Sequence, residues 1–279
     1  VAPFFDLMDD RDARDGQAAA RATVAVRAAA GEDALLAAIG RASQAGDAQL
    51  ETVLRALTAE RAKLRRLTGD SDAATAAIRA ILGPGAAMAQ DALRAEYAAL
   101  LDADALGRMV EALREGGVTD NKAADHIAFW LAAPAARRPF ALDRLQNAVL
   151  TKEGEIRKRL CTRAVETAHP WIVEGLRALA DEAQALNEAL NARACLEATT
   201  ALLALGGAES DLYARAKSFA ARLDFDDLVL TAGDLLASEG GAGWAHYKLD
   251  SGVDHVLVDE AQDTNPDQWA VVEALIQPF

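Results

Sequence analysis

His255-Val256-Leu257-Val258-Asp259-Glu260-Ala261-Gln262-Asp263 is the stretch on which the fold reading turns. A short, continuous apolar run ends in two adjacent acids. Such a run reads as a buried strand of a parallel sheet, because strands covered on both faces lose the polar alternation of a surface strand. Thr264-Asn265-Pro266 follows as a helix start, with Pro266 preset for the first turn. The helix from Pro266 to Ile276 is expected to pack Trp269, Val272 and Ile276 on one face. Strand and helix together predict a small α/β piece.

Everything upstream reads as helix. Hydrophobic residues make up 52% of the 279, yet aromatics only 5%, and alanine dominates the remainder. Alanine is the best helix former because ordering it costs no side-chain entropy. The fold class predicted is mainly α, a large helical part with a small α/β portion. The opening residues 1–10 suggest a short extended segment containing Pro3. Helices then follow one another, interrupted at Gly31, Gly40, Gly46 and Gly69. Leu50, Val53, Leu54, Leu57, Leu64 and Leu67 recur at helical spacing and leave Arg61, Lys63, Arg65 and Arg66 largely outside. Gly83-Pro84-Gly85 ends this set. Further helices are expected over 88–101 and 104–114, and after Gly116-Gly117 with Thr119 or Asp120 as cap. Pro134 and Pro139 frame a turn. A long helix after Pro170 is expected to stop at Gly206-Gly207, and another to run from the Leu223–Leu228 segment through Leu236, before the glycine-rich Gly240–Gly243. The divisions drawn are 1–10, 11–205 and 206–279. No fixed-period repeat is present.

The net charge is −14, which argues against a dedicated nucleic-acid wrapping domain. Local clusters matter more. Lys152, Arg157, Lys158, Arg159 and Arg163 form the densest basic patch, with Arg137 and Arg138 adjoining. It reads equally as a phosphate-contact surface or as a solvated helix face balanced by Glu153, Glu155 and Glu166. Cys161 and Cys195 match no zinc or redox spacing and read as buried thiols in a reduced, cytoplasmic setting. The four histidines have no metal-ligand spacing. Trp130, Trp171 and Trp269 read as core residues, and Trp244 follows the glycines. No apolar run is long enough to span a bilayer and no signal peptide opens the chain, so no membrane role is expected. The first residue is Val1, which suggests processing or excision.

The acids at the strand end carry the chemistry. Two adjacent carboxylates there are costly unless a cation or a proton-transfer role compensates them. Phosphoryl transfer supplies both: Asp259 holding Mg2+ and Glu260 orienting and deprotonating water. The plainer reading is a strand that ends in a solvated acidic turn.

Val256, Leu257, Val258, Asp259, Glu260, Gln262, Asp263, Pro266 and Gln268 resemble the second helicase motif of UvrD-like superfamily 1 DNA helicases. Tyr213 and Lys217, followed by Leu223, Asp224, Phe225, Asp227 and Leu228, are similar to a second segment of that family, for which the resemblance implies a packing role. Within the family, residues 1–10 and 150–158 resemble the AddA subunit of bacterial AddAB helicase–nucleases. The resemblance implies ATP and Mg2+ as cofactors, DNA and an AddB-like subunit as partners, and double-strand break repair and recombination as the process, with exonuclease activity in the full-length chain. It implies catalytic roles for Asp259 and Glu260, γ-phosphate sensing by Gln262, and a local hydrogen-bonding role for Asp263. Residues 11–205 resemble the inserted 1B subdomain, which makes Arg137, Arg138, Lys152, Arg157, Lys158 and Arg159 candidate DNA contacts. Residues 206–279 would then be part of motor domain 1A.

None of the six lysines ends the G-x-x-x-x-G-K-[ST] stretch that cradles phosphates. The chain is therefore expected to be an internal fragment, inactive alone. The competing expectation is a non-enzymatic helical interaction module. A complete nuclease is disfavoured, because no carboxylate–lysine nuclease pattern occurs.

Overall fold

The computed structural model describes residues 4–43, 47–238, 248 and 255–276. In chain order its elements are β1 (Asp6–Leu7), α1 (Asp10–Ala29), α2 (Asp33–Ala42), α3 (Asp47–Ala59), α4 (Arg61–Thr68), α5 (Ser71–Leu82), α6 (Gln90–Leu100) and α7 (Ala103–Arg114). They continue with α8 (Val118–Ala132), α9 (Leu142–Gln146), α10 (Arg163–Ala168), α11 (Trp171–Phe219), β2 (Arg222–Leu223), α12 (Phe225–Ala237) and α13 (Pro266–Ile276). The fold is mainly α, as the alanine-rich composition predicts. Two compact units divide the chain: residues 1–71 with 200–279, and residues 72–199. Helices α1–α4 thus group with the C-terminal stretch rather than with the rest of 11–205.

In the first unit, Asp9 caps α1 through its Oδ1, which accepts from the N–H groups of Arg11 (2.9 Å) and Asp12 (2.8 Å). Val24, Ala28, Leu35, Ala38 and Leu54 close against Ala201 and Leu205 of α11 in one small-residue core. The opening segment is extended where described. β1 pairs in parallel with β2, Asp6 opposite Arg222 and Leu7 opposite Leu223, and this is the only sheet among the described residues.

Gly206-Gly207 does not stop α11, which continues to Phe219. A Cβ at Gly206 would stand 3.1 Å from Leu64 Cδ2, and one at Gly207 3.1 Å from Thr68 Cγ2. The glycines are there for the close approach of α4. Gly40 likewise lies inside α2, whereas Gly31 and Gly83 do end helices at positive φ, 103° and 85°. Gly46 and Gly240–Gly243 lie outside the described residues, as do Trp244 and His246.

The second unit packs α6–α10 and residues 171–199 of α11 around fully buried Leu113, Ile127, Trp130, Leu142, Leu145, Ile172 and Leu176. Asp120 is not the cap of α8. Gly117 is, and the buried Asp120 carboxylate accepts from its N–H at 2.9 Å. Asp120 also takes the Thr162 N–H (2.8 Å) and hydroxyl (2.7 Å), fixing the chain ahead of α10. Trp130 is core, but Trp171 is 45% exposed and Trp269 half-buried. Cys161 is buried and Cys195 is exposed rather than core.

Residues 255–258 do not form the strand that the apolar run predicts. They carry no regular structure, and Leu257 is 98% exposed. A strand is held by backbone bonds to a neighbour, and among the described residues none lies beside it, because β1 pairs with β2. On α13, Ile276 is 52% exposed rather than packed inward.

Candidate functional site

Asp259 and Glu260 form a turn directly after this unpaired segment, both exposed. Glu260 adopts a left-handed φ of 49°, which reverses the chain into a single 3-10 turn at Ala261–Asp263. Asp259 Oδ1 accepts from the Glu260 N–H at 2.9 Å, and the Gln262 amide donates to the Glu260 carboxylate. The three candidate residues are therefore together. Of Asp263, only the backbone is described.

Helix α13 then starts on a reciprocal cap. The Asn265 N–H donates to Gln268 Oε1 (2.9 Å) and the Gln268 N–H to Asn265 Oδ1 (2.8 Å). This cap gives the Pro and Gln after the acids a physical purpose. Helix α12 packs along α13, with Gly233 facing Val271.

The start of α12 is held by a buried charge cluster. Asp224 and Asp227 cap it reciprocally, the Asp227 N–H donating to Asp224 Oδ1 at 3.0 Å and the Asp224 N–H to Asp227 Oδ2 at 3.1 Å. Asp224 Oδ2 accepts from Tyr213 Oη (2.8 Å), Lys217 Nζ (2.9 Å) and Arg61 Nη1 (2.5 Å). Lys217 also pairs with Asp227. Burial by itself would raise the Asp224 carboxyl, but the hydrogen bonds from Arg61 and Lys217 outweigh it and hold the group well below the usual carboxylate range. Tyr213 is pushed up by burial and by its bond to Asp224.

Arg61 is the residue that helical spacing misplaced: its side chain is only 11% exposed. Three acids at 224, 226 and 227 against Lys217 alone signalled a missing cation, yet spacing could not say which arginine supplies it. Phe225 is 60% exposed, not core. A cleft of about 120 Å3 runs beside this cluster, bounded by Glu60, Arg61 and Lys63, by Asp226, Val229 and Leu230, and by Asn265–Asp267 at the start of α13.

The basic stretch is a loop rather than a helix face. Leu150 and Ile156 bridge antiparallel, and Gly154 turns the hairpin at a φ of 84°. Lys152, Arg157, Lys158, Arg159 and Arg137 are exposed. Arg138 is turned inward: its guanidinium lies 4.9 Å from the Trp130 ring centre and donates to the Ala133 and Leu131 carbonyls, both at 3.4 Å.

Residues 178–278 match the UvrD/REP helicase N-terminal domain. The match supports a UvrD-like superfamily 1 helicase, a class of ATP-dependent enzymes that act on DNA with Mg2+. The UvrD/REP segment takes in Tyr213, Lys217, Asp224 and Asp227 of the charge cluster but not Arg61, together with α12, the acidic turn and the cap of α13. No curated protein and no solved structure matches the chain. No described helix is long and apolar enough to cross a membrane.

The acidic turn fits a hard cation. Neither Asp259 nor Glu260 is in an ion pair with a Lys or Arg among the described residues, and both are exposed. No group of three metal-ligating side chains occurs among the described residues. Mg2+ is held by one or two carboxylates together with the phosphates and waters it brings, and carboxylate is the donor type that Asp259 and Glu260 offer.

Proposed function

We propose that this chain supplies the Mg-ATP carboxylates of an ATP-dependent DNA helicase, with Asp259 holding the Mg2+ that neutralises phosphate charge. Glu260 orients the attacking water and accepts its proton. Gln262 senses the γ-phosphate, a role that its bond to the Glu260 carboxylate supports. Residues 206–279 serve as part of motor domain 1A and 11–205 as a 1B-like insertion, with DNA contacts among Arg137, Lys152, Arg157, Lys158 and Arg159. The parent protein is AddA-like in this reading, working beside an AddB-like subunit in the bacterial cytoplasm during double-strand break repair and recombination, with exonuclease activity in the full-length chain.

The observation that supports this reading is the UvrD/REP match over 178–278, which takes in two exposed adjacent acids without a Lys or Arg ion pair among the described residues. The phosphate cradle has to come from outside these 279 residues, because no Gly-rich Lys loop occurs within them. The test compares two proteins. These 279 residues alone are expected neither to retain nucleotide nor to hydrolyse it. In a helicase polypeptide that also carries a phosphate loop, Glu260→Gln is expected to keep nucleotide binding and abolish unwinding. Turnover by the 279 residues alone, or unwinding that survives Glu260→Gln, defeats the proposal and favours a non-enzymatic helical module.

A further inference from the structure

Four helices of the unit formed by residues 1–71 and 200–279 meet around a space that none of them fills. It measures about 200 Å3, and its apolar walls are Val24 and Ala25 of α1, Ile39 of α2, Leu50 and Leu54 of α3, and Leu205 of α11. The ion pair of Arg21 with the buried Glu209 supplies the polar part of the lining. Ala25 and Glu51, both exposed, border the space as well and give it an edge on solvent. An apolar cavity of about 150 Å3 stays dry and takes up benzene, so this one has room for a single ring with a short substituent.

The polar groups on the wall are nearly all committed. Glu51 pairs with Arg55 at 2.5 Å. Both Glu209 oxygens accept from Arg21, from Nη2 at 2.8 Å and from Nε at 3.2 Å. That leaves Arg21 Nη1, which makes no hydrogen bond among the described residues. A guanidinium carries donors only, so the partner it lacks is an acceptor. Charge decides the rest. The ion pair is neutral as a whole, and a further buried charge without its own counterion is expensive. Burial already raises the Glu209 carboxyl, and a second negative group beside it meets that penalty too. The occupant that fits is neutral, apolar over most of its surface, and equipped with one acceptor atom.

We propose that this cavity binds a compact neutral molecule, one apolar ring bearing a carbonyl oxygen, with Arg21 Nη1 as the donor to that oxygen. The ring takes the place of missing wall-to-wall contacts between α1, α2, α3 and α11, each of which loses dispersion energy facing an empty space. Because the bound molecule touches all four helices, it holds them together and stabilises the unit by mass action. The inference rests on the cavity and its ion pair, and neither on DNA nor on the acidic turn.

The test is a ligand-observed NMR titration of the full 279-residue chain with acetophenone and with ethylbenzene, which share a skeleton and differ by the ketone oxygen. Wild type should bind both. Arg21→Met with Glu209→Leu removes the donor together with its partner and so leaves no uncompensated charge. It should retain ethylbenzene and lower the ratio of acetophenone to ethylbenzene affinity about tenfold, the effect of one hydrogen bond to a charged group. Ala25→Trp places an indole in the space and should abolish binding of both molecules. Val26→Trp, at an exposed neighbour that does not line the space, should bind both as wild type does. Should Ala25→Trp fail to fold, the affinity ratio in the Arg21→Met with Glu209→Leu variant still decides. Wild type that binds neither molecule, an unchanged ratio in the double variant, binding that survives Ala25→Trp, or an equal loss in Val26→Trp, each overturns the proposal. A failed Glu260→Gln test in the helicase would leave all these measurements unchanged, so the two readings fail separately.

Discussion

Arg61 and Asp224 lie 163 residues apart in sequence and meet through both terminal guanidinium nitrogens and both carboxylate oxygens. The pair ties α4 to the first turn of α12 in the same unit, and Asp224 is simultaneously the cap of α12 and the acceptor for Tyr213 and Lys217. Removing one partner of a buried pair costs about 3–5 kcal/mol where the other charge is left uncompensated; here Lys217 still faces Asp224, so the loss of Arg61 should cost less than that. Arg61→Ala is expected to lower the urea midpoint of the chain and to expose the α12 amides to hydrogen exchange. Protection of α12 equal to wild type would show that the cluster is dispensable.

The same cluster sets an acid limit. Asp224 is held below its ordinary value of 3.8, so its contribution is fully present above that value and is lost as pH falls through and below it. A pH titration of unfolding free energy should show wild type losing stability below about pH 4, with the slope reduced in Asp224→Asn. An unchanged slope in that variant would assign the acid sensitivity to other carboxylates.

Arg21 and Glu209 behave with the opposite sign. Arg21 donates to Glu209 at 2.8 and 3.2 Å at the end of an apolar cavity of about 200 Å3, lined in part by Val24, Ile39, Leu50 and Leu54. Burial raises the Glu209 carboxyl above its ordinary value, against the pull of Arg21. A raised folded-state pKa means stability is present at low pH and lost as pH rises through it. Arg21→Ala removes the pull, so its destabilisation should be large at pH 7 and clearly smaller at pH 5. Replacing both groups, Arg21→Met with Glu209→Leu, should be neutral or stabilising by about 1–4 kcal/mol. Calorimetry at the two pH values checks both statements.

Most helices were legible, because turn chemistry and apolar spacing act locally: Pro266 within α13 and Gly83 after α5 each do what their chemistry predicts. What stayed hidden depended on neighbours distant in sequence. Val256–Val258 has the composition of a strand, but only an adjacent strand could make it one. Gly206-Gly207 has the composition of a stop, but α4 needs that surface bare. The acidic turn was found because its residues are contiguous, whereas Arg61 was missed because its partners are not. The glycine case is directly measurable. Gly40→Ala in α2 meets open space and should stabilise by about 0.5–1 kcal/mol, while Gly206→Ala should gain less, because Leu64 has to give way. Equal gains in thermal unfolding at both positions would mean that α4 yields freely.

Arg138 and Arg159 separate packing from surface charge within one basic stretch. Both suggest phosphate contacts by composition alone, yet Arg138 covers the face of buried Trp130, whose indole N–H donates to the Arg138 carbonyl at 3.1 Å. Its guanidinium also satisfies the Ala133 and Leu131 carbonyls as α8 ends. Truncating it removes a cation–π contact worth about 0.5–2 kcal/mol along with the apolar stem that shields the ring. Arg159 is exposed and has no such partner. Arg138→Ala should therefore shift the Trp130 fluorescence and destabilise the chain by about 1–2 kcal/mol. Arg159→Ala should stay within about 0.5 kcal/mol of wild type and alter only the salt dependence of DNA binding. If Arg138→Ala left stability intact and weakened DNA binding instead, its guanidinium would belong to the phosphate surface after all.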